Sequence, residues 1–340
     1  MAIIINGSPK RIGLTLSGGG FRAAAFHLGV LRQLKARQLL DKVDLLSCVS
    51  GGSIAGAFLA LNWHDPEVLD KLEHYLATRS IAVGSVIGGM LDPFHTRLDK
   101  LAETYDRDLF HGKTLGDLAE GPRTYLNATN LATGNMFTFV AGGGGKSEMG
   151  EYELGFVDAP GFPIARAVAA SSAFPPVFPP LRLDATVYAH AAKCDYVTLS
   201  DGGLYDNLGV NPGLSGQTPL DYLIVSDGGK PYAVKNDPTE SGAMVLKEGL
   251  DIMMEQIRGL QFDRMEHRHK AGVGPCPLWF SIDSKNGEQQ PGDAAFASAI
   301  ETNLKALSQE ERDVLARHGG ALVAARLQRF AQELWHPQDT

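Results

Sequence analysis

IGLTLSGGGFRAAAFHLGVLRQLKARQLL, residues 12–40, changes its period within a few positions. Ile12, Leu14 and Leu16 alternate with Gly13 and Thr15, the pattern of a strand. Ser17-Gly18-Gly19-Gly20 interrupts it, and beyond Phe21 the residues Ala24, Leu28, Leu31 and Leu34 recur at helical spacing. Strand, glycine turn and helix in that order begin a β–α unit. A second such unit follows at once: DLLSCV (44–49) is a short apolar run, GGS (51–53) reads as the turn, and IAGAFLALNW (54–63) has helical composition. TYLNAT (124–129), MFTFV (136–140), YVTL (196–199), DYLIV (221–225) and LWFSI (278–282) are further strand candidates. Helices are expected at 163–171, 242–270 and 296–332, with a helical and connecting stretch at 66–120. Strands alternating with helices predict an α/β fold whose mainly parallel central sheet is covered on both faces. Sites in such sheets form at the carboxyl ends of strands. AGGGGKSE (141–148) and NGEQQPGD (286–293) read as exposed loops and not linkers, so residues 1–340 are expected to be a single domain.

Hydrophobic residues make up 44% of the 340 and charged residues 21%, which allows a substantial core. A net charge of −8 argues against a nucleic-acid partner, though not against a local basic patch. Cys48, Cys194 and Cys276 are too few and too scattered for a disulfide framework or a metal site, which points to a reducing compartment. MAIIINGSPKR carries no positive charge ahead of its short apolar run, unlike a signal peptide, and no stretch approaches the ~20 apolar residues of a membrane span. A cytoplasmic protein is expected. IAVGSVIGGML (81–91) and LDPF (91–94) have two readings, a core segment or a lid that meets lipid.

Three features carry chemistry. Ser53 lies in Gly51-Gly52-Ser53-Ile54-Ala55, close to the G-x-S-x-G of a nucleophile elbow, with alanine at the fifth position. Ser47 sits inside the strand, and Ser50 has Cys48 where the close glycine of that motif belongs, so both rank below Ser53. The bland alternative is a turn with a capping serine. The triple glycine 18–20 is either a phosphate cradle or an oxyanion hole. G-x-G-x-x-G fails at Ala23 and at Arg22, which favours the oxyanion hole. Arg22 has three readings: it orients this loop, meets a lipid phosphate, or is a plain surface arginine. As the base, no histidine stands in a convincing loop; His267, His269, His318 and His336 read as solvated. Asp201 ends the strand YVTLS and is followed by Gly202-Gly203, which leaves its carboxylate unobstructed; Asp227-Gly228-Gly229 is a rival.

Together the blocks resemble a known family. GGGFR (18–22), GGS (51–53) and DGG (201–203) followed by YDNLG (205–209) are similar to the three signature blocks of the patatin-like phospholipases. AVAASSAFPPVFPP (167–180) is similar to the family's helix-then-proline segment, and NATNLATGNMFTF (127–139) to its strand pair. The likeness runs from residue 12 to about 230, with a weaker echo at 305–320. The resemblance implies a three-layer α/β/α fold and a serine–aspartate dyad that works without histidine. It places the nucleophile at Ser53, the base at Asp201 and the oxyanion hole at Gly18, Gly19 and Gly20. Arg22, Gly52 and Ile54 are expected to contact substrate. It also implies hydrolysis of acyl esters in phospholipids or lysophospholipids, with no metal or organic cofactor and with peripheral contact at membranes. Acyl transfer through the same acyl-serine, or lipid binding without turnover, are the alternatives.

Overall fold

A computed structural model describes residues 3–5, 7–81, 97–189, 194–215 and 219–335. The apolar stretch 81–91 and LDPF thus fall, except for Ile81, outside the described residues. The strands are β1 (Ile3–Ile5), β2 (Ser8–Lys10), β3 (Ile12–Leu16), β4 (Val43–Val49), β5 (Arg123–Asn130), β6 (Met136–Ala141), β7 (Glu148–Glu151), β8 (Gly155–Asp158), β9 (Leu181–Asp184), β10 (Tyr196–Asp201), β11 (Tyr222–Asp227) and β12 (Cys276–Ser281). The principal helices are α1 (Gly20–Ala36), α2 (Gly51–Leu61), α3 (Val68–Thr78), α4 (Arg97–Tyr105), α5 (Ile164–Ser171), α6 (Gly242–Lys270), α7 (Asp293–Ala299) and α8 (Gln309–Phe330).

β12, β11, β3, β4 and β5 lie side by side in that order, all parallel. β6, β7 and β8 extend the sheet beyond β5 as an antiparallel meander. Strand alternation loads both faces: on β11, Tyr222 and Ile224 join the main core, while Leu223 and Val225 join a second cluster with Leu208, Val210 and Met265 of α6. α1 and α8 pack against each other, with Phe26, Leu31, Leu315 and Leu322 in the main core. The sheet therefore lies between helical layers, and the α/β class expected from the repeated strand–helix pattern is the one observed.

β5 decides where the chemistry sits. Its first half pairs with β4 in parallel, Val49 opposite Asn127. Its second half pairs with β10 in antiparallel fashion, Asp201 opposite Ala128. β4 and β10 share one edge of β5 and run toward each other, so their carboxyl ends meet. Residues 50 and 201, 151 positions apart in sequence, become neighbours through one intervening strand.

Two expectations on element boundaries give way. The helix expected at 296–332 is two helices, because Asn303 between them turns back and its carbonyl accepts the Phe21 amide at 2.9 Å. Ser308 then restarts the chain as α8 with a capping box, its hydroxyl accepting from Glu311 N at 3.2 Å. AGGGGKSE is not wholly loop either, since Glu148 already belongs to β7, a short edge strand. Among the described residues no helix is long and apolar enough to cross a membrane.

Candidate active site

Val49 is the last residue of β4, and α2 begins at Gly51, leaving a single residue to make the turn. That residue is Ser50, with φ 51° and ψ −116°. It is one of three non-glycine residues with positive φ among those described. A serine held there costs about 1–3 kcal/mol of backbone strain, and such strain gathers at functional positions. The turn closes this tightly because of Gly51, whose missing Cβ would run into the backbone of Gly20. Ser50 is half-buried, and its N–H donates to Ser171 Oγ at 3.0 Å.

Ser53 lies one turn further on, inside α2, and is 0% exposed. Its hydroxyl is 2.8 Å from Ser171 Oγ. Ser171 spends its single proton on the carbonyl of Asn127 at 2.6 Å, so Ser53 is the donor between the two serines. Ser53 is thus a buried hydroxyl committed to a structural partner inside the helix, and the residue at the turn, where the elbow was expected at Ser53, is Ser50. Gly52 and Ile54, expected to contact substrate beside it, are enclosed as well. A Cβ on Gly52 would run into the carbonyls of Leu16 and Ser17, and its N–H donates to Ser17 O at 3.1 Å, while Ile54 is fully buried core. GGS is therefore the first turn of the helix and not the loop before it.

Asp201 faces this turn from the end of β10 and is 2% exposed. Its Oδ1 accepts the Gly203 N–H at 2.8 Å. Burial pushes its pKa up to about 7, against the opposing pull of the Gly203 amide and the Ser50 hydroxyl. Ser50 is the hydroxyl that acts on this carboxylate, yet Oδ2 has no partner in hydrogen-bonding geometry among the described residues. Such contacts are often long before substrate arrives. Tyr105, at the end of α4, is fully buried within the field of Asp201, and burial keeps its phenol neutral. The rival Asp227 is committed elsewhere, with Arg258 Nε donating to its Oδ2 at 2.6 Å and Gly229 N to its Oδ1 at 3.1 Å.

The glycine loop supplies amides, but not all three. Gly18 N–H donates to Asn207 O at 3.2 Å, which removes it from the expected set. Gly19 (φ 139°) and Gly20 (φ 63°) have amides with no protein acceptor among the described residues, and Gly20 opens α1. Gly51 opens α2 in the same way, and a Cβ on Gly51 would stand 2.8 Å from Gly20 N, so the unpaired amides of two helix starts adjoin. Arg22, expected to contact substrate, is fully buried instead. Its Nε and Nη2 donate to Gly228 O at 3.2 and 3.1 Å, and its Nη1 donates to Ile300 O at 2.9 Å and Thr302 Oγ1 at 2.7 Å. Burial lowers its pKa to about 10, which leaves it a cation at neutral pH, fastened beneath the loop and away from any lipid phosphate. His27 completes that foundation. Its Nε2 donates to Ser17 O at 2.9 Å, which makes Nδ1 the acceptor of the Ser226 hydroxyl at 2.7 Å. Burial depresses its pKa to about 4, so the ring stays neutral.

A family model described as patatin-like phospholipase matches residues 14–214, the span that contains both helix starts, Ser50 and Asp201. The chain belongs to the patatin-like phospholipase family. Among solved structures it is similar to human GIVD cytosolic phospholipase A2, at 14% identity and a TM-score of 0.62, over 96% of this chain and 60% of that one. It is also similar to the same human enzyme in complex with methyl gamma-linolenyl fluorophosphonate, at 15% identity and a TM-score of 0.57, over 96% and 58% of the respective chains. At such identities the likeness speaks for the fold. The chain spans about 60% of the length of that human relative. No curated protein matches it.

Within this patatin-like frame, histidine stays out of the centre. No histidine among the described residues is hydrogen-bonded to Ser50 or Asp201. His318, read as a solvated turn residue, lies buried in α8 with Nε2 2.8 Å from Ile282 O, and His336 falls outside the described residues. Among the described residues no cluster of His, Cys, Asp and Glu could hold a metal ion. A groove of about 760 Å³ between α1 and α8, lined by Gly29, Arg32, Ala316, Arg317 and Gly320, contains none of the groups above. Ser50 was within reach of sequence reasoning. The apolar run ends at Val49, and the small pair that lets a turn close follows Ser50. Cys48 obscured it, but the room for Cys48 comes from across the contact, where Gly56 of α2 faces its sulfur.

Proposed function

We propose that this protein hydrolyses acyl esters of phospholipids or lysophospholipids through a dyad of Ser50 and Asp201. The observation that carries the reading is a strained elbow serine opposite a buried carboxylate whose Oδ2 has no other partner. Ser50 passes its proton to Asp201 as Oγ bonds to the ester carbonyl carbon. The carbonyl oxygen becomes an oxyanion against the amides of Gly19, Gly20 and Gly51, where each donor is worth roughly 10²–10³ in rate. The intermediate collapses, the C–O bond to the alcohol breaks, and the departing oxygen takes the proton from Asp201. Water then gives a proton to Asp201 and attacks the acyl-serine; the second collapse frees the fatty acid and returns that proton to Ser50. A carboxylate with a pKa near 7 suits a base at neutral pH better than an ordinary aspartate. No step calls on a metal or organic cofactor. The substrate brings with it peripheral contact with a membrane or micelle.

The test is lipid mass spectrometry after incubation with vesicles of phosphatidylcholine and lysophosphatidylcholine, with and without an added alcohol acceptor. Wild type is expected to release free fatty acid and Ser50→Ala none above the protein-free rate. Acyl product that appears only on the added alcohol would replace hydrolysis with transfer. Absence of turnover on every acyl ester tried would overturn the reading.

A further inference from the structure

α6 is amphipathic in the reverse of the usual sense. One face of it is docked on the sheet. Arg258 Nε donates to Asp227 Oδ2 at 2.6 Å and Nη2 to Ser281 Oγ at 2.8 Å, Phe262 packs on Trp279 with ring centroids 4.8 Å apart, and Met265 is buried in the second cluster. Outside that face Leu246, Met253 and Leu260 recur every seven residues, a stripe about 21 Å long. These three are 78%, 57% and 67% exposed, and Val245 and Ile252, also seven apart, are exposed beside them. A surface helix ordinarily gives water its charged residues. Here every charged residue between 244 and 260 lies off the stripe and has an ionic partner. Lys247 meets Asp251 at 2.7 Å, Glu248 meets Lys235, and Arg258 meets Glu255 at 2.8 Å as well as Asp227. The stripe ends where Asp263, Arg264 and His267 take over its exposed positions.

This face adjoins the candidate site. A Cβ on Gly203 would stand 3.1 Å from Met254 Cε and 3.0 Å from Asp201 Oδ1, so one glycine separates α6 from the proposed base. The loop that enters α6 also leaves from the site, where Gly228 O accepts from Arg22 and Gly229 N donates to Asp227 Oδ1. Further along that loop Tyr232 is exposed and Val234 is 97% exposed, and Lys235 ties the loop to α6 through Glu248. Exposed apolar groups of this number, gathered on one loop and helix, mark an interaction surface. A lipid surface is the partner whose chemistry matches. Its acyl esters must reach Ser50 and Asp201, and an uncharged apolar face enters the acyl boundary without desolvating ions. A partner helix is less well served, because the flanking Gly249, Met254 and Gln256 hold no charge to set its register.

We infer that the 245–260 face of α6, with the Tyr232–Val234 loop, is the surface by which this protein docks on lipid. Insertion of apolar side chains drives the contact, and headgroup charge does not. The choice of lipid as partner rests on the hydrolytic reading above.

The experiment is flotation with vesicles of dialkyl ether phosphatidylcholine, which contain no ester, so binding is read apart from turnover. Wild type is compared with a triple variant, Leu246→Ser, Met253→Ser and Leu260→Ser, and with a control, Tyr152→Ser and Phe156→Ser. The control residues are equally exposed but lie by β8, at the other edge of the sheet from β12. The triple variant is expected to lose about 10–100-fold in vesicle partitioning, and the control to stay within about twofold of wild type. Added anionic lipid or raised salt should change wild-type partitioning by less than about twofold. Hydrogen exchange on wild type, which needs no variant, should slow across 244–260 when vesicles are added. Full partitioning of the triple variant, protection confined to other segments, or binding that requires anionic lipid would each overturn the inference. So would a wild-type dimer that the triple change splits and that ignores vesicles, since the face would then join two copies. Docking as expected without turnover of ester phosphatidylcholine would instead remove the hydrolytic reading and leave the surface in place.

Discussion

Ser50→Ala lowers kcat/KM for ester hydrolysis by a factor on the order of 10³–10⁶, while Ser53→Ala stays within about threefold of wild type. The contrast follows from where each hydroxyl points. Ser50 occupies the strained turn between β4 and α2 and faces the Asp201 carboxylate. Ser53 is enclosed in α2 and donates to Ser171. Removal of the Ser53 hydroxyl leaves Ser171 Oγ donating to Asn127 O and accepting from Ser50 N. The cost is one buried hydrogen bond, about 1 kcal/mol of stability, visible in a denaturant melt and not in turnover. Steady-state kinetics on one soluble acyl ester, with both variants at matched folded concentration, make the comparison. Loss of turnover in Ser53→Ala with retention in Ser50→Ala would reverse the assignment.

Asp201→Asn lowers kcat by roughly 10²–10⁴-fold and, above neutral pH, makes the protein more stable. The two effects have one cause. Burial raises the Asp201 pKa from 3.8 to about 7, so the folded protein holds a proton there that the unfolded chain gives up near pH 4. Folded stability contributed by this group is complete below pH 4 and is lost as pH rises through about 7. Asparagine never ionises and escapes that loss. The stability gap between Asp201→Asn and wild type is therefore near zero at acid pH, opens between pH 4 and 7, and levels off above at roughly 1–4 kcal/mol. Urea melts of both proteins across pH 5–8.5 read it directly. With Asp201 as the proposed base the same ionisation sets catalysis, and wild-type kcat/KM is expected to rise with pH to a plateau above about 7. A gap independent of pH, or an acid limb centred near pH 4, would mean that Asp201 is solvated and is not the base.

Much of this was legible in the chain. The change of period at Ser17–Phe21 announced β3, the glycine turn and α1, and its repetition announced β4 and α2. DGG after YVTLS marked Asp201, because two glycines after a strand leave a carboxylate uncovered. What the sequence concealed were facts set by contacts across the fold. In the sequence Ser50 ranks below Ser53 because Cys48 stands where the elbow motif has glycine, and only the packing places Gly56 against its sulfur. Arg22 and Gly18 read as ligand contacts, yet Gly228, Ile300 and Thr302 claim the one and Asn207 the other, from partners about 190 to 280 residues away. His27 gave no sign of its place under the loop, since Ser226 and Ser17 O meet it only once β11 and β3 are paired. The meeting of Ser50 with Asp201 depends on β10 running against β5, a direction that no local pattern encodes.

Labelling with a fluorophosphonate, followed by tandem mass spectrometry of the peptide that contains both serines, tests the central assignment most directly. Fragment ions that divide Ser50 from Ser53 locate the phosphonate. The adduct is expected on Ser50 alone, and its rate of formation should fall with the Asp201→Asn change. A phosphonate carried by Ser53 with Ser50 unmodified would contradict the account.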